Sequence, residues 1–180
     1  ISLRGEHNLA NAMAATLAAL AMKVPAASLR ATLKNFKGVE HRLEFVRELD
    51  RRRKKLVGIC FGHQLVAHAL GGKTEKSAKG WGVGLHTHRF TEVPDWHDNE
   101  EAEFDILVSH QDQVVSNAAH AKVLASSEFC ENAVCQVGDH ILTFQGHPEF
   151  VPEYSREIME FRRKLIGEQV YQVGMASLAS

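Results

Sequence analysis

The chain has 180 residues, with 21 lysines and arginines against 22 aspartates and glutamates, a net charge of −1 and a pI near 6.9. With 44% hydrophobic and 24% charged residues, it has an ordinary globular composition, enough for one core plus an added segment. The balanced charge gives no reason to expect a nucleic-acid partner or an anionic membrane surface, and no apolar run approaches the ~18 residues of a membrane span.

The N-terminus "ISLRGEHN" lacks a signal-peptide layout, and its missing Met suggests a trimmed tag or an excised fragment. Residues 6–36 are rich in Ala and Leu. Leu9, Ala12, Met13, Leu17 and Leu20 recur at helical spacing, which predicts a helix capped by Asn8 or Glu6 and ended by Pro25. A second helix is expected over about 26–36, with Leu29, Leu33 and Phe36 on one face and Gly38 as its stop. Together they form a helical hairpin whose apolar side needs a partner. In "HRLEFVRELDRRRKK", Leu43 and Phe45 alternate as in a strand, while Leu43, Val46 and Leu49 are spaced as in a helix. The charge-rich continuation favours a helix from about 43 to 53. The basic run at 51–55 reads as a solvated helix end, with a small anion or nucleic-acid patch as the alternative.

After Lys55 the pattern changes. "LVGIC" is a short, fully apolar strand of the kind buried in a parallel sheet, and a helix over 61–70 follows, closed by Gly71-Gly72. Strands are expected near 82–90, 104–109 and 121–126, with a charged loop at 92–103. "NAVCQV-GD-HILTFQG" predicts a hairpin turning on Gly138-Asp139, and a last helix is expected over about 152–170 with Pro152 in its first turn.

The three cysteines, Cys60, Cys130 and Cys135, have no metal-like spacing, and a reduced, cytoplasmic protein is the expectation. The eleven histidines contain no H-E-x-x-H pattern; His86 and His88 alternate on a strand and His97 lies in a loop, so no metal is expected.

"GICFGHQ", 58–64, places Cys60 between a strand and a helix with Gly58 and Gly62 beside it. This is the thiol version of the G-x-S-x-G elbow: the tight turn exposes the sulfur, and the helix N-terminus behind it is expected to favour thiolate. "TFQGHPEF", 143–150, puts His147 and Glu149 two residues apart at the end of an apolar strand. On extended backbone both side chains point the same way, so His147 can act as base and acid for Cys60 while Glu149 orients it. The alternative is that His147-Pro148 is a turn and Glu149 a helix cap.

The stretches "GICFGHQLVAHALGG", "SHQDQVV" and "ILTFQGHPEF" resemble, in order and separation, the class I (triad-type) glutamine amidotransferase family, over roughly 45–178. The resemblance implies a flavodoxin-like α/β fold with a mostly parallel sheet. It implies that Cys60 attacks the side-chain amide of glutamine to form a γ-glutamyl thioester. His147 then protonates the departing ammonia and Glu149 holds His147. The backbone N–H of Phe61 faces the oxyanion, and Gln64, Ser109 and His110 line the glutamine pocket. No cofactor is implied. "KGWGVGLHTH", 79–88, is similar to stand-alone members of uncertain substrate. The family's front strands and its Gly-Pro-rich oxyanion loop have no counterpart in residues 1–54.

In their place, residues 4–46 are similar to the Mur ligase family, in its UDP-N-acetylmuramoylalanine–D-glutamate ligase branch, through G-x-H-N-x-x-N and the His-Arg at 41–42. That resemblance places Asn8, Asn11 and Arg42 around ATP, yet the family's phosphate-binding G-K-[ST] loop, carbamylated lysine and magnesium ligands are taken as missing. Packing is therefore the expected role of this segment. The two likenesses meet within 43–49, and the chain is read as a chimera: a helical hairpin over 1–42, packed on a truncated amidotransferase-like domain over 43–180. An unusual natural fusion is the alternative. The expected outcome is an impaired or inactive thiol amidohydrolase, with an active glutaminase releasing ammonia and a nucleotide-binding remnant as alternatives. A homodimer or segment-swapped oligomer would cover the apolar face and unpaired edge left by missing strands.

Overall fold

The computed structural model describes residues 13, 16–17, 19–35, 39–97 and 101–179, and the chain divides into two compact units between Phe45 and Val46. In the first unit the described residues 13, 16–17 and 19–21 are helical. This turn closes at Lys23 (φ 59°), where the Lys23 and Val24 amides donate to Leu20 O and Ala19 O at 2.9 Å. The expected caps Asn8 and Glu6, with Leu9 and Ala12, lie outside the described residues. Helix α1, Ala26–Asn35, starts directly after Pro25, with Leu29 and Leu33 half-buried along one side.

Helix α2, Val39–Arg51, begins in the first unit and ends in the second, starting earlier than the spacing from Leu43 implied. The basic run after it is a tethered helix end. Arg51 and Arg52 pair with Glu48, Arg53 pairs with Asp139, and His140 Nε2 meets Asp50 Oδ1 at 3.0 Å.

Strand β1, Leu56–Ile59, leads through Cys60 into helix α3, Phe61–Ala69. There follow β2 (Lys73–Lys76), β3 (Gly82–Phe90), β4 (Glu103–His110), β5 (Asp112–Ser116), β6 (Ala121–Ser126), β7 (Val134–Val137) and β8 (Ile141–Phe144). Helices α4, Pro152–Ile166, and α5, Glu168–Ser177, close the chain. Six strands form one sheet in the order β1-β8-β7-β6-β3-β4, and β2 pairs with β5 in a separate antiparallel ribbon.

The α/β class stands, but the expectation of a mostly parallel sheet is corrected. In the described sheet only β1 and β8 run parallel, while β8·β7, β7·β6, β6·β3 and β3·β4 are antiparallel. The reason is connection length: β7 and β8 are joined by a turn at Gly138 (φ 58°), and so short a connection can only reverse the chain. The expected last helix is also corrected. Gly167, at φ 87°, takes a conformation costly for any other residue and breaks it into α4 and α5. The ribbon strands β2 and β5 were not anticipated, because "KTEK" and "DQVVS" are polar and short.

Two apolar clusters pack around the sheet strands. Val83 of β3 packs with Met159 of α4 and with Ile166 and Tyr171, bordered by Trp81, Val170, Met175 and Leu178. Leu124, Ala125 and Val134 form the second, with Phe90, Phe104, Leu142 and Phe144 against them. The α3 side buries Val66, Ala67 and Ala69.

The approach of α3 to the sheet depends on Gly58, where an added Cβ would stand 2.9 Å from Gly62 O and 3.0 Å from Thr143 Cγ2. Gly58→Ala is expected to destabilise the fold by about 1–3 kcal/mol, read as a lower urea midpoint with an unchanged slope. An unchanged midpoint would show that α3 can yield.

Candidate active site

Cys60 occupies the corner between β1 and α3 with φ 50° and ψ −101°. A non-glycine residue in that region stores strain and persists only where its surroundings hold it. Here the Cys60 amide donates to Phe144 O at 2.8 Å, and its own carbonyl accepts from the Gln64 amide at 3.1 Å. The first bond extends the parallel register by one residue, since Ile59 lies opposite Phe144. The corner residue and the residues following β8 are thereby brought to one end of adjacent strands.

The sulfur is half-buried. Burial pushes the Cys60 thiol up from its ordinary value; the Phe61 amide and the Arg162 charge oppose this, while Glu149 and Asp112 reinforce it. The expectation of a favoured thiolate is therefore corrected: the helix N-terminus does act on the sulfur, but desolvation outweighs it. The hydrogen bond to Sγ comes from Gln145 Nε2 at 3.8 Å. Gln145 is only 1% exposed, and its Oε1 accepts from Gln64 Nε2 at 3.1 Å; Gln64 Nε2 also reaches Asp112 O at 2.9 Å. The expected site residue Gln64 is thus linked to Cys60 through Gln145, which the sequence reading missed despite its place inside "TFQGHPEF".

His147 lies just past β8, where its amide donates to Leu107 O of β4 at 2.8 Å. Its Nδ1 meets Glu149 Oε1 at 2.8 Å, and its ring stacks on Phe150 with centroids 3.9 Å apart. The pair meets through a turn rather than along a strand, for Pro148 and Glu149 are turn residues and the Phe150 amide returns to His147 O at 3.1 Å. Because the ionised carboxylate is an acceptor only, the Nδ1–H donates and Nε2 is left for a second partner. Cys60 and His147 share no hydrogen bond among the described residues.

Ser109 and His110 end β4. Ser109 Oγ accepts from Arg162 Nη1 at 3.3 Å. His110 is buried, its Nδ1 3.2 Å from Asp112 O and its ring edge against Phe129; burial lowers its pKa to about 4 and keeps it neutral. His63, two residues into α3 from Phe61, is also buried and lowered to about 4 for the same reason. Thr143 Oγ1 donates to Cys135 O at 3.2 Å and lies 2.8 Å from His63 Nδ1, and this contact ties the first turn of α3 to β8. Phe61 opens α3 with its side chain exposed and its amide at the sulfur.

Of the residues suggested for a nucleotide, Asn8 and Asn11 lie outside the described residues and Arg42 is exposed on α2. A Gly-Lys-Thr triplet occurs at 72–74. It leads out of α3 into β2 rather than opening a helix, and Lys73 pairs with Glu75, so it makes no phosphate cradle. Among the described residues no group of three His, Cys, Asp or Glu is arranged to hold a metal, and no helix is long and apolar enough to cross a membrane. A cleft of about 760 Å³ runs along β3 rather than at Cys60, lined by His86, His88, Arg89, Ser127 and Phe129 among others.

The family model for Glutamine amidotransferase class-I matches residues 18–165. Gamma-glutamyl peptidase 3 of Arabidopsis thaliana is 36% identical over 128 residues, covering 65% of this chain and 49% of that protein. The chain thus spans about half the length of the curated relatives it matches. A UDP-N-acetylmuramoylalanine–D-glutamate ligase of Pelotomaculum thermopropionicum is 58% identical over 50 residues, 28% of this chain and 11% of the ligase. Among solved structures, a glutamine amido transferase from Methylobacillus flagellatus superposes with a TM-score of 0.63 at 25% identity, over 71% of this chain and 51% of that one.

Burial raises Cys130 to about 12 and Cys135 to about 11, and both are buried where Cys60 is not. Iodoacetamide is therefore expected to modify Cys60 first, with a rate still climbing at the ordinary thiol value of 9.0 because its folded pKa lies higher. Peptide mass spectrometry across a pH series checks this. Equal rates at all three cysteines, or a plateau near neutrality, would contradict it.

Proposed function

Since the chain belongs to the class-I glutamine amidotransferase family, we propose that it is a thiol amidohydrolase for γ-glutamyl amides in which Cys60, His147 and Glu149 do the chemistry. The observation that carries this reading is the strained corner at Cys60, hydrogen-bonded to the end of the strand that continues into the His147–Glu149 pair. The likeness to gamma-glutamyl peptidases supports γ-glutamyl peptides alongside glutamine as substrates.

The thiol rests protonated, since burial raises its pKa. His147 Nε2 takes the proton as Sγ attacks the γ-carbonyl, and Glu149 stabilises the resulting imidazolium. The missing Sγ–His147 hydrogen bond is no obstacle, because such contacts tighten in the substrate complex. The tetrahedral oxyanion lies against the Phe61 amide. Collapse breaks the C–N bond, and the leaving amine takes the proton from His147. Water, deprotonated by His147, then attacks the thioester, releasing glutamate and restoring the thiol. With the Phe61 amide as the donor identified, turnover falls about 10²–10³-fold below that of a site with two donors.

The short, strong likeness to a Mur ligase supports reading the N-terminal segment as a fused fragment of that family. In this reading the segment serves packing and supplies no ATP site.

Ammonia release from glutamine and glutamate release from a γ-glutamyl dipeptide are expected to be slow but measurable. Cys60→Ala abolishes both and His147→Ala lowers them by about 10²–10⁴-fold. Equal release by wild type and Cys60→Ala would end the reading.

A further inference from the structure

Among the described residues, Arg162 is a cation without a carboxylate. It lies half-buried in the last turn but one of α4, and there its one hydrogen bond is the 3.3 Å contact from Nη1 to Ser109 Oγ. Its neighbour shows what a satisfied guanidinium looks like here. Arg163 holds Glu168 with two bonds, at 2.8 and 2.7 Å, and lies 4.2 Å over the Tyr171 ring. For Arg162, no carboxylate stands within ion-pair distance among the described residues. A guanidinium carries five donors in a planar fork, and keeping one partly desolvated without an anion is unfavourable. An arginine in that state has room for an anion that the described residues do not supply.

Its position says which anion. Ser109 stands two residues along β4 from Leu107, whose carbonyl accepts the His147 amide at 2.8 Å. The Ser109 anchor is therefore about 7 Å along the strand from the point that fixes His147. The Arg162 charge also reaches the Cys60 sulfur, where it opposes Glu149 and Asp112. A γ-glutamyl group presents its scissile carbonyl to the thiol and its α-carboxylate three carbons further on. That carboxylate matches the guanidinium fork in charge and in bidentate geometry.

We propose that Arg162, held by Ser109, is the binding residue for the α-carboxylate of the γ-glutamyl substrate. The inference rests on the hydrolase reading given above, and it makes the free carboxylate the specificity handle: α-amidated or internal glutamine side chains are poor substrates, while N-terminal modification has no bearing on this contact.

The test uses the full chain and two thiol-capturing probes, the γ-diazoketone analogue of glutamine and the same compound with its α-carboxylate converted to an amide. Wild type is expected to be labelled at Cys60 some 10- to 100-fold faster by the free acid. Arg162→Gln removes that preference, and Arg162→Lys restores part of it, while the thermal midpoint stays near wild type; loss of the Arg162 charge slows both probes and iodoacetamide together, so the ratio of the two probe rates is what is read. If wild type takes both probes equally, or Arg162→Gln keeps the preference, the role of Arg162 is overturned and the hydrolase reading survives. If Cys60 reacts with iodoacetamide but with neither probe, the hydrolase reading falls and this inference with it. Should Arg162→Gln fail to fold, Arg162→Lys decides: a preference undiminished from wild type overturns the proposal.

Discussion

The site depends on one backbone hydrogen bond, from the Cys60 amide to Phe144 O at 2.8 Å. It continues the parallel register of β1 and β8 past the end of β1 and stops the chain where it must turn. Because Cys60 is still held as a strand residue on its amide side while its carbonyl already accepts the first helical bond from Gln64, the turn is completed within one residue. That residue takes the strain, at φ 50°. The glycines answer the same constraint: Gly58 lets the first turn of α3 approach to 2.9 Å of where a Cβ would stand. The chain leaving β8 then carries Gln145 to the sulfur and, after one more residue, His147 to the edge of β4.

Around this corner, burial and fixed charge act in opposite directions. Desolvation outweighs the Phe61 amide and the Arg162 charge, so the sulfur is stored as a thiol. The same burial keeps His63 and His110 neutral at pKa values near 4, which spares the site two further positive charges. A neutral thiol and neutral flanking imidazoles leave Glu149, Asp112 and Arg162 as the charges the sulfur senses. The field at the sulfur is thus set by three charged side chains rather than by the neighbouring imidazoles.

What the sequence made legible was what it encodes locally. "GICFGHQ" spells the corner because glycine, cysteine and glycine must alternate where a helix turn touches a strand. His147 and Glu149 are near neighbours, so their meeting needed no knowledge of the fold, although a turn achieves it rather than a strand. The β7–β8 hairpin was readable from Gly138-Asp139. Sheet direction was not, because an apolar run such as "LVGI" looks the same beside a parallel or an antiparallel neighbour. The polar ribbon of β2 and β5 carries too few apolar residues to show a period. Gln145 and Arg162 escaped for another reason: their roles come from contacts across 85 and 53 residues. The direction of the Cys60 shift is likewise tertiary, since a helix N-terminus can be read from a sequence and burial cannot.

The bonds that shape the corner all lie within the second unit, Val46–Ser180. There β1 is the end strand of the described sheet, so among the described residues the strand leading to Cys60 is hydrogen-bonded to a strand on one side only. Val57 is 61% exposed on it and Phe61 is 55% exposed just beyond. An edge strand frays more readily than a central one, and an elbow is only as strained as its surroundings are rigid. The chain from His63 through Thr143 to Cys135 O therefore matters beyond its own strength. It ties α3 to β8 through buried groups and so adds to the restraint on β1. The reactivity of Cys60 is in this way tied to how firmly β8 holds its single partner.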